Sequence, residues 1–225
     1  MDREVTLLDY ERNKAFIKSK EEVYQFIKRT FDIIMGILGC AILFPIMIIV
    51  KICYVLSGDF DQIIFVQRRI GKDGKEFDFY KFRSMIKNAD EVLQELLKDP
   101  KYKKEWDLNQ KLDHDPRITT IGKILRKTSL DELPQMVNVL AGEMSMIGPR
   151  PLIKGELDAH GGNHEIYERV KPGITGWWAC NGRSALTYEE RLNLEYYYVK
   201  NQSLRLDIKC VFRTIKAVLI SSGAK

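Results

Sequence analysis

Cysteine is scarce in this chain and scattered: Cys40, Cys53, Cys180 and Cys210 form no C-x-x-C pair. That argues against a disulfide framework or a zinc site and fits a reducing compartment. Histidine is scarcer still. His114, His160 and His164 have no ligand spacing to acids or cysteines, and they read as surface residues. Neither zinc-finger spacing nor an RNP-like strand is visible, so no nucleic-acid partner is expected. No small-residue cleavage site follows a short basic lead, which sets a signal peptide aside.

What the chain does have is positive charge and one long apolar run. Its 225 residues suit one domain, or one domain plus an anchor, and 45% hydrophobic content is enough for a core. A net charge of +5 and a pI near 8.9 point to an anionic partner such as anionic lipid or a phosphorylated substrate. Residues 1–27 are charged, with Val23, Phe26, Ile27 and Phe31 at helical spacing, and predict an amphipathic helix at the membrane surface. Residues 33–50 carry no charge; as a straight helix they run about 27 Å against a hydrocarbon core of about 30 Å. Pro45 predicts a kink. Basic residues flank the run on both sides, Lys28 and Arg29 before it and Lys51, Arg68 and Arg69 after it. The positive-inside rule therefore gives no single orientation, and a spanning helix and a re-entrant hairpin stand level on the residues alone.

Downstream, Ile63–Val66 and Phe77–Phe82 flank Gly71-Lys72-Asp73-Gly74, the pattern of a β-hairpin. Lys81 and Arg83 at its end read either as surface cations or as phosphate contacts. Residues 86–98 predict an amphipathic helix, and the charged stretch Asp99–Asp115 a linker or lid. The last segment, Leu204–Ile220, aligns Leu204, Ile208, Val211, Phe212, Ile215 and Leu219 on one face and Lys209, Arg213 and Lys216 on another, as in an interfacial helix.

The most informative stretch is Arg126–Pro151, R-K-T-S-L-D-E-L-P-Q-M-V-N-V-L-A-G-E-M-S-M-I-G-P-R-P. Ser129 and Glu132 have capping-box spacing, which predicts a helix start. Capping does not ask for Asp131, nor for the cations Arg126 and Lys127 just before it. A carboxylate at a helix N-terminus is kept ionised, as a nucleophile or metal ligand requires. Pro149 and Pro151 bracket Arg150, leaving its guanidinium aimed as diphosphate recognition needs.

K-T-S-L-D-E-L-P-Q followed by G-E-M-S-M-I-G-P-R-P resembles the signature of the bacterial sugar transferases, the small monotopic phosphoglycosyl transferases. Further matches lie at Tyr80–Met85 (Y-K-F-R-S-M), Asp115–Thr119 (D-P-R-I-T) and Lys171–Trp177 (K-P-G-I-T-G-W), and the resemblance covers about Lys28 to the C-terminus. It has departures: Phe44 stands where relatives often have Ser before the proline, and W-W-A-C-N-G-R (177–183) where they read W-A-x-V-N-G-R.

The resemblance implies an α+β fold, mostly helical with a small β-hairpin. It divides the chain into a charged segment (1–27), a proline-broken re-entrant membrane helix (28–57) and a cytoplasmic catalytic domain (58–225) ending in an interfacial helix. The implied reaction moves a sugar-1-phosphate from a UDP-sugar to polyprenol (undecaprenyl) phosphate at the cytoplasmic face of the bacterial inner membrane, the first membrane step of a surface glycan. In it Asp131 is the nucleophile and binds Mg²⁺, Glu132 shares metal or proton duties, and Lys81, Arg83, Arg126, Arg150 and Arg183 bind the donor. The segment before Asp115 resembles the hexose-1-phosphate branch, which favours galactose or glucose over N-acetyl sugars. Membrane lipid is a further partner, and a homodimer stays open beside a monomer. Two other readings of the same residues are a Mg²⁺-dependent membrane phosphohydrolase and a non-catalytic membrane adaptor in which Asp131 and Glu132 merely cap.

Overall fold

The computed structural model describes residues 7–109, 112, 114–182 and 186–219. Its dominant element is one 50-residue helix, α1 (Leu7–Leu56), about 75 Å long if straight. By length and composition it is able to cross a bilayer. It does not stand free of the domain. Asp32, Gly36, Gly39, Leu43, Val50 and Tyr54 are buried, and their spacings of three, four and seven place them on one stripe. Ile34, Ile37, Ile42, Phe44, Ile49 and Ile52 are exposed around it. One side of α1 is therefore core, and the other is an apolar surface running the length of the helix.

The proline-broken helix implied by the resemblance is not seen, since α1 continues through Pro45 as a single helical element. Pro45 withdraws a donor from the carbonyl of Ala41, and both residues lie on the exposed side. Leu43, Ile46, Met47 and Val50 pack on the domain to either side of the proline and hold the helical course. The basic flanks are fixed to the same body. Lys28 pairs with Asp207 at 2.8 Å, while Lys51 donates to the carbonyls of Phe60 and Asp61 at 3.1 Å each.

The hairpin forms as the alternation requires. Strands β1 (Ile64–Ile70) and β2 (Glu76–Phe82) pair antiparallel from Ile64 opposite Phe82 to Ile70 opposite Glu76. Asp73 and Gly74 take the left-handed conformation at the turn, with φ of 57° and 71°. Helix α2 (Ala89–Leu96) starts later than the 86–98 pattern suggested. Met85 bridges to Ile118 and the Ile86 N–H donates to the Arg117 carbonyl, which keeps the preceding residues extended. The stretch read as a linker or lid contains a helix, α3 (Pro100–Asn109). Asp99 accepts from the Lys101 N–H at 2.8 Å and Pro100 opens the first turn, a start signal that the weak apolar pattern obscured.

Next come α4 (Thr120–Lys127), a 3-10 turn (Leu130–Glu132), α5 (Gln135–Ala141) and β3 (Ser145–Ile147). Short helices α6 (Glu156–Ala159) and α7 (His164–Tyr167) form the crossover to β4 (Gly173–Thr175), which pairs parallel with β3. This second pair was not foreseen, since three-residue strands are too short to show alternation. It explains glycines in two motifs: a Cβ on Gly173 would lie 2.1 Å from the Gly148 nitrogen, so the two backbones meet with no room for side chains.

Helices α8 (Tyr188–Lys200) and α9 (Leu204–Leu219) close the chain. α9 buries Leu206, Asp207 and Cys210 but leaves Ile208, Phe212 and Ile215 exposed, so the apolar face noted in the sequence points away from the core. The largest cluster of buried side chains joins Leu43, Val50 and Tyr54 of α1 to Ile63, Phe82 and Leu125. Each such large side chain contributes about 1.5–3 kcal/mol when fully buried, so α1 is part of the domain core rather than a detachable anchor.

Candidate active site

The turn that carries the acid pair is built by competition between capping and burial. Thr128 closes α4 by donating its hydroxyl to the Ile124 carbonyl at 2.8 Å. Ser129 then turns left-handed, at φ 56°, and makes no side-chain cap. The expected capping box at Ser129 and Glu132 does not form. Leu130 and Leu133 are drawn into the core on either side of the acids, which folds Leu130–Glu132 into a 3-10 turn and delays α5 until after Pro134.

Asp131 is half-buried in this turn. Burial pushes its carboxyl above the ordinary range; Lys81 pulls it down, Glu132 pushes it up and Arg126 pulls it down. The expectation that a helix dipole keeps it ionised is therefore corrected. There is no long helix behind Asp131, and its anionic form depends on the two cations.

Those cations arrive from separate elements. β2 delivers Lys81, whose Nζ donates to Glu132 Oε1 at 3.0 Å. α4 delivers Arg126, whose Nε donates to Ser84 Oγ at 2.9 Å. Lys81, Arg126, Asp131 and Glu132 thus form one cluster.

Arg83 lies outside it. Its guanidinium grips both oxygens of Asp59 at 2.9 Å, donates to the Gln62 carbonyl at 2.8 Å and stacks 4.7 Å from the Tyr54 ring. The Tyr54 hydroxyl in turn donates to the Arg83 carbonyl. Arg83 is a fastener between α1 and the hairpin, not a free phosphate ligand. Arg183 falls outside the described residues.

Arg150 is held through its peptide groups. Its N–H donates to Glu195 Oε1 at 3.0 Å, and its carbonyl accepts from the Tyr167 hydroxyl at 2.8 Å. The guanidinium has no hydrogen-bond partner among the described residues. It lies near Arg69, a residue the sequence reading used only as a membrane-flanking charge. Arg69 and Lys81 each stand 5.4 Å from the Phe79 ring centroid. A line of cations therefore runs across the hairpin face from the acid pair to the Pro149-Arg150-Pro151 turn.

Two other residues were missed. Asn138, fully buried, accepts from the Tyr80 N–H at 3.3 Å and donates to the carbonyl of Asp78 and the carboxylate of Glu143, pinning α5 to β2. Gln135, also buried, leaves its amide nitrogen without a partner among the described residues. Polar residues three apart on the apolar helix Q-M-V-N-V-L-A were the available signal. Of the adjacent pair Trp177 and Trp178, Trp177 packs against Tyr197 and under the Arg213 guanidinium, 4.8 Å from its ring centroid.

The acid pair suits a hard cation. Carboxylate oxygens are the donors Mg²⁺ takes, and no cluster of three or more His, Cys, Asp or Glu exists among the described residues. Two carboxylates, with substrate phosphates and water completing the shell, match the usual habit of Mg²⁺.

A family profile described as bacterial sugar transferase matches residues 23–221. The chain is 45% identical over 222 residues to the UDP-galactose-lipid carrier transferase of Erwinia amylovora, covering 98% of this chain and 45% of that protein. The undecaprenyl-phosphate galactose phosphotransferase of Salmonella typhimurium matches with the same identity and coverage. The exopolysaccharide production protein ExoY of Sinorhizobium fredii is 43% identical over 198 residues, 88% of this chain and 87% of its own length. The chain spans less than half the length of the first two relatives and most of the third.

Proposed function

The chain belongs to the bacterial sugar transferase family, and from that premise we propose that it transfers a sugar-1-phosphate from a UDP-sugar to undecaprenyl phosphate. Galactose is the sugar we favour, supported by the names of the two relatives at 45% identity. The observation that carries the reading is the half-buried Asp131–Glu132 pair, flanked by Lys81 and Arg126 and built onto a helix whose other face is apolar.

The transfer proceeds in two displacements. A carboxylate oxygen of Asp131 attacks the sugar-bearing phosphorus of the donor, and the bond to the bridging oxygen breaks with its electron pair leaving on UMP. An oxygen of the lipid phosphate then attacks the same phosphorus and releases the Asp131 carboxylate, giving the lipid diphosphate sugar. Soluble donor and membrane acceptor thus never occupy the site together.

Lys81 and Arg126 oppose the charge of the attacking carboxylate, and Arg150, fixed by its peptide groups, grips the donor diphosphate. Asp131, with Glu132 beside it, would hold Mg²⁺, which when bound supplies positive charge against the diphosphate. The chain sits monotopically on the cytoplasmic leaflet, with the exposed apolar faces of α1 and α9 in lipid and both ends of the apolar run on the protein's side.

With UDP-galactose and Mg²⁺ but no lipid acceptor, the enzyme should release about one UMP per active site and then stall. Adding undecaprenyl phosphate should restore turnover, with ping-pong kinetics. Asp131→Asn should remove the burst, because an amide is a poor nucleophile of nearly the same shape. A burst that survives this substitution, or intersecting double-reciprocal lines, would rule out the covalent scheme. Running UDP-glucose and a UDP-N-acetylhexosamine alongside tests the choice of sugar.

A further inference from the structure

A second cluster of cations lies at the other end of the hairpin. A cavity of about 70 Å³ is lined by Lys28, Arg29, Lys72, Arg169 and Lys171, with Asp32 the one acid among its lining residues. That volume is room for about two waters or a single phosphate group, and too little for a nucleotide.

Several of these groups are already occupied. Lys28 is paired with Asp207, and Arg29 donates to the carbonyls of Val139 and Leu140 at 2.7 and 2.8 Å. Asp32 accepts from the Ser145 hydroxyl and the Met146 N–H. Lys72, Arg169 and Lys171 make no side-chain hydrogen bond or ion pair among the described residues. Arg29 and Lys171 converge on Gly142: a Cβ there would lie 3.4 Å from Lys171 Nζ and 3.5 Å from Arg29 Nη2. Burial lowers the Lys171 pKa and Arg29 adds to it, while Asp32 pulls the other way.

The cavity is separate from the acid pair. Lys72 sits in the hairpin turn, whereas Lys81 is near the far end of β2, about 17 Å of strand from Glu76. It lies instead at the tie between the two apolar-faced helices. Lys28 of α1 and Asp207 of α9 form that tie, and Phe26, Ile33, Ile34 and Ile208 are exposed around it.

We propose that this cavity holds the phosphate of an anionic membrane lipid, with Lys72, Arg169 and Lys171 as the cations free to meet it. The chemistry is that of any phosphate oxyanion. The lipid is assigned as its source because exposed apolar residues of α1 and α9, Phe26, Ile33, Ile34 and Ile208, flank the Lys28–Asp207 tie that borders the cavity, which leaves apolar surface beside the phosphate for acyl chains. The assignment rests on the membrane seating of α1 and not on the transfer chemistry.

Native mass spectrometry of the full chain in detergent tests it, using phosphatidylglycerol and phosphatidylcholine with the same acyl chains. The chain should retain one phosphatidylglycerol at concentrations where phosphatidylcholine leaves no adduct. Lys72→Gln with Arg169→Gln, both exposed positions that should not disturb folding, should lower that retention at least about tenfold. UMP release by this double variant in detergent should stay within about twofold of the unaltered chain. Equal retention of the two lipids would overturn the proposal. So would an equal loss from the control pair Lys209→Gln and Lys216→Gln, exposed cations of α9. Inorganic phosphate that displaces the lipid at matched concentration would make a free anion the ligand and overturn the lipid assignment. A fall in UMP release parallel to the loss of lipid would place these cations in donor binding and overturn it as well.

Discussion

Lys81 Nζ stands 3.0 Å from Glu132 Oε1, and this ion pair joins the end of the hairpin to the turn that carries Asp131. Both side chains are partly solvated, so the pair adds little to stability. Its effect is on Asp131, which Lys81 pulls toward ionisation and Glu132 pushes away from it. In the proposed mechanism the raised Asp131 carboxyl must be anionic to attack, so activity should fall as pH drops through its pKa. Lys81→Met should move that acid limb of the kcat/KM profile to higher pH, and Glu132→Gln should move it lower. Shifts in the same direction for both variants would contradict the assignment of Asp131 as the titrating nucleophile.

Arg150→Lys keeps a charge but loses the planar fork. The Glu195 and Tyr167 contacts are to the main chain of residue 150 and survive the substitution. Stability should be near that of the parent, while kcat/KM falls at least about tenfold, roughly 1.4 kcal/mol. Near-parental kinetics would reduce Arg150 to a turn residue.

Glu195 is almost fully buried, and burial raises its carboxyl from 4.5 to about 7, against the pull of Arg191 and the Arg150 N–H. The fold therefore favours the protonated acid. That stabilisation is complete below about pH 4.5 and is lost as pH rises through about 7. It amounts to about 3 kcal/mol at most. Glu195→Gln keeps an acceptor for the Arg150 N–H and cannot ionise. The Tm of the parent, measured in detergent, should drop relative to the variant by roughly 5–10 °C between pH 5 and pH 8. Parallel Tm curves would show that Glu195 does not titrate in this window.

The hairpin, the terminal helix and the acid pair were legible because each depends on neighbours in sequence. Alternation, a D-G turn and a 3.6-residue stripe are local signals. The site was legible in parts. Asp131, Glu132, Lys81 and Arg126 do meet, but Arg83 shares the parity of Lys81 and is diverted by Asp59, a partner twenty-four residues away that no pattern marks. The failed capping box has a similar cause. Ser129 and Glu132 had the right spacing, and burial of Leu130 and Leu133 decided otherwise. Pro45 misled because a break rule that holds for a free helix takes no account of packing on both sides of the proline.

Both ends of the apolar run contact one body, through Lys28 and Tyr54, so neither end is expected across the membrane. Single cysteines at Lys18 and Lys75, in a background with the four native cysteines replaced by alanine, test this. Both should be shielded from an impermeant thiol reagent applied outside intact cells and should react after permeabilisation. Labelling of one site from outside would mean that α1 spans.

α5 follows directly from the turn that carries Asp131 and rests on two glycines of α1. A Cβ on Gly36 would come within 2.7 Å of Leu140, and one on Gly39 within 2.4 Å of Met136. The contact is close enough to couple the position of Asp131 to that of α1. With α1 seated in lipid as proposed, the height of Asp131 above the bilayer follows the depth at which α1 settles. On the proposed mechanism, a change in bilayer thickness or in the tilt of α1 would raise or lower Asp131 relative to the acceptor phosphate.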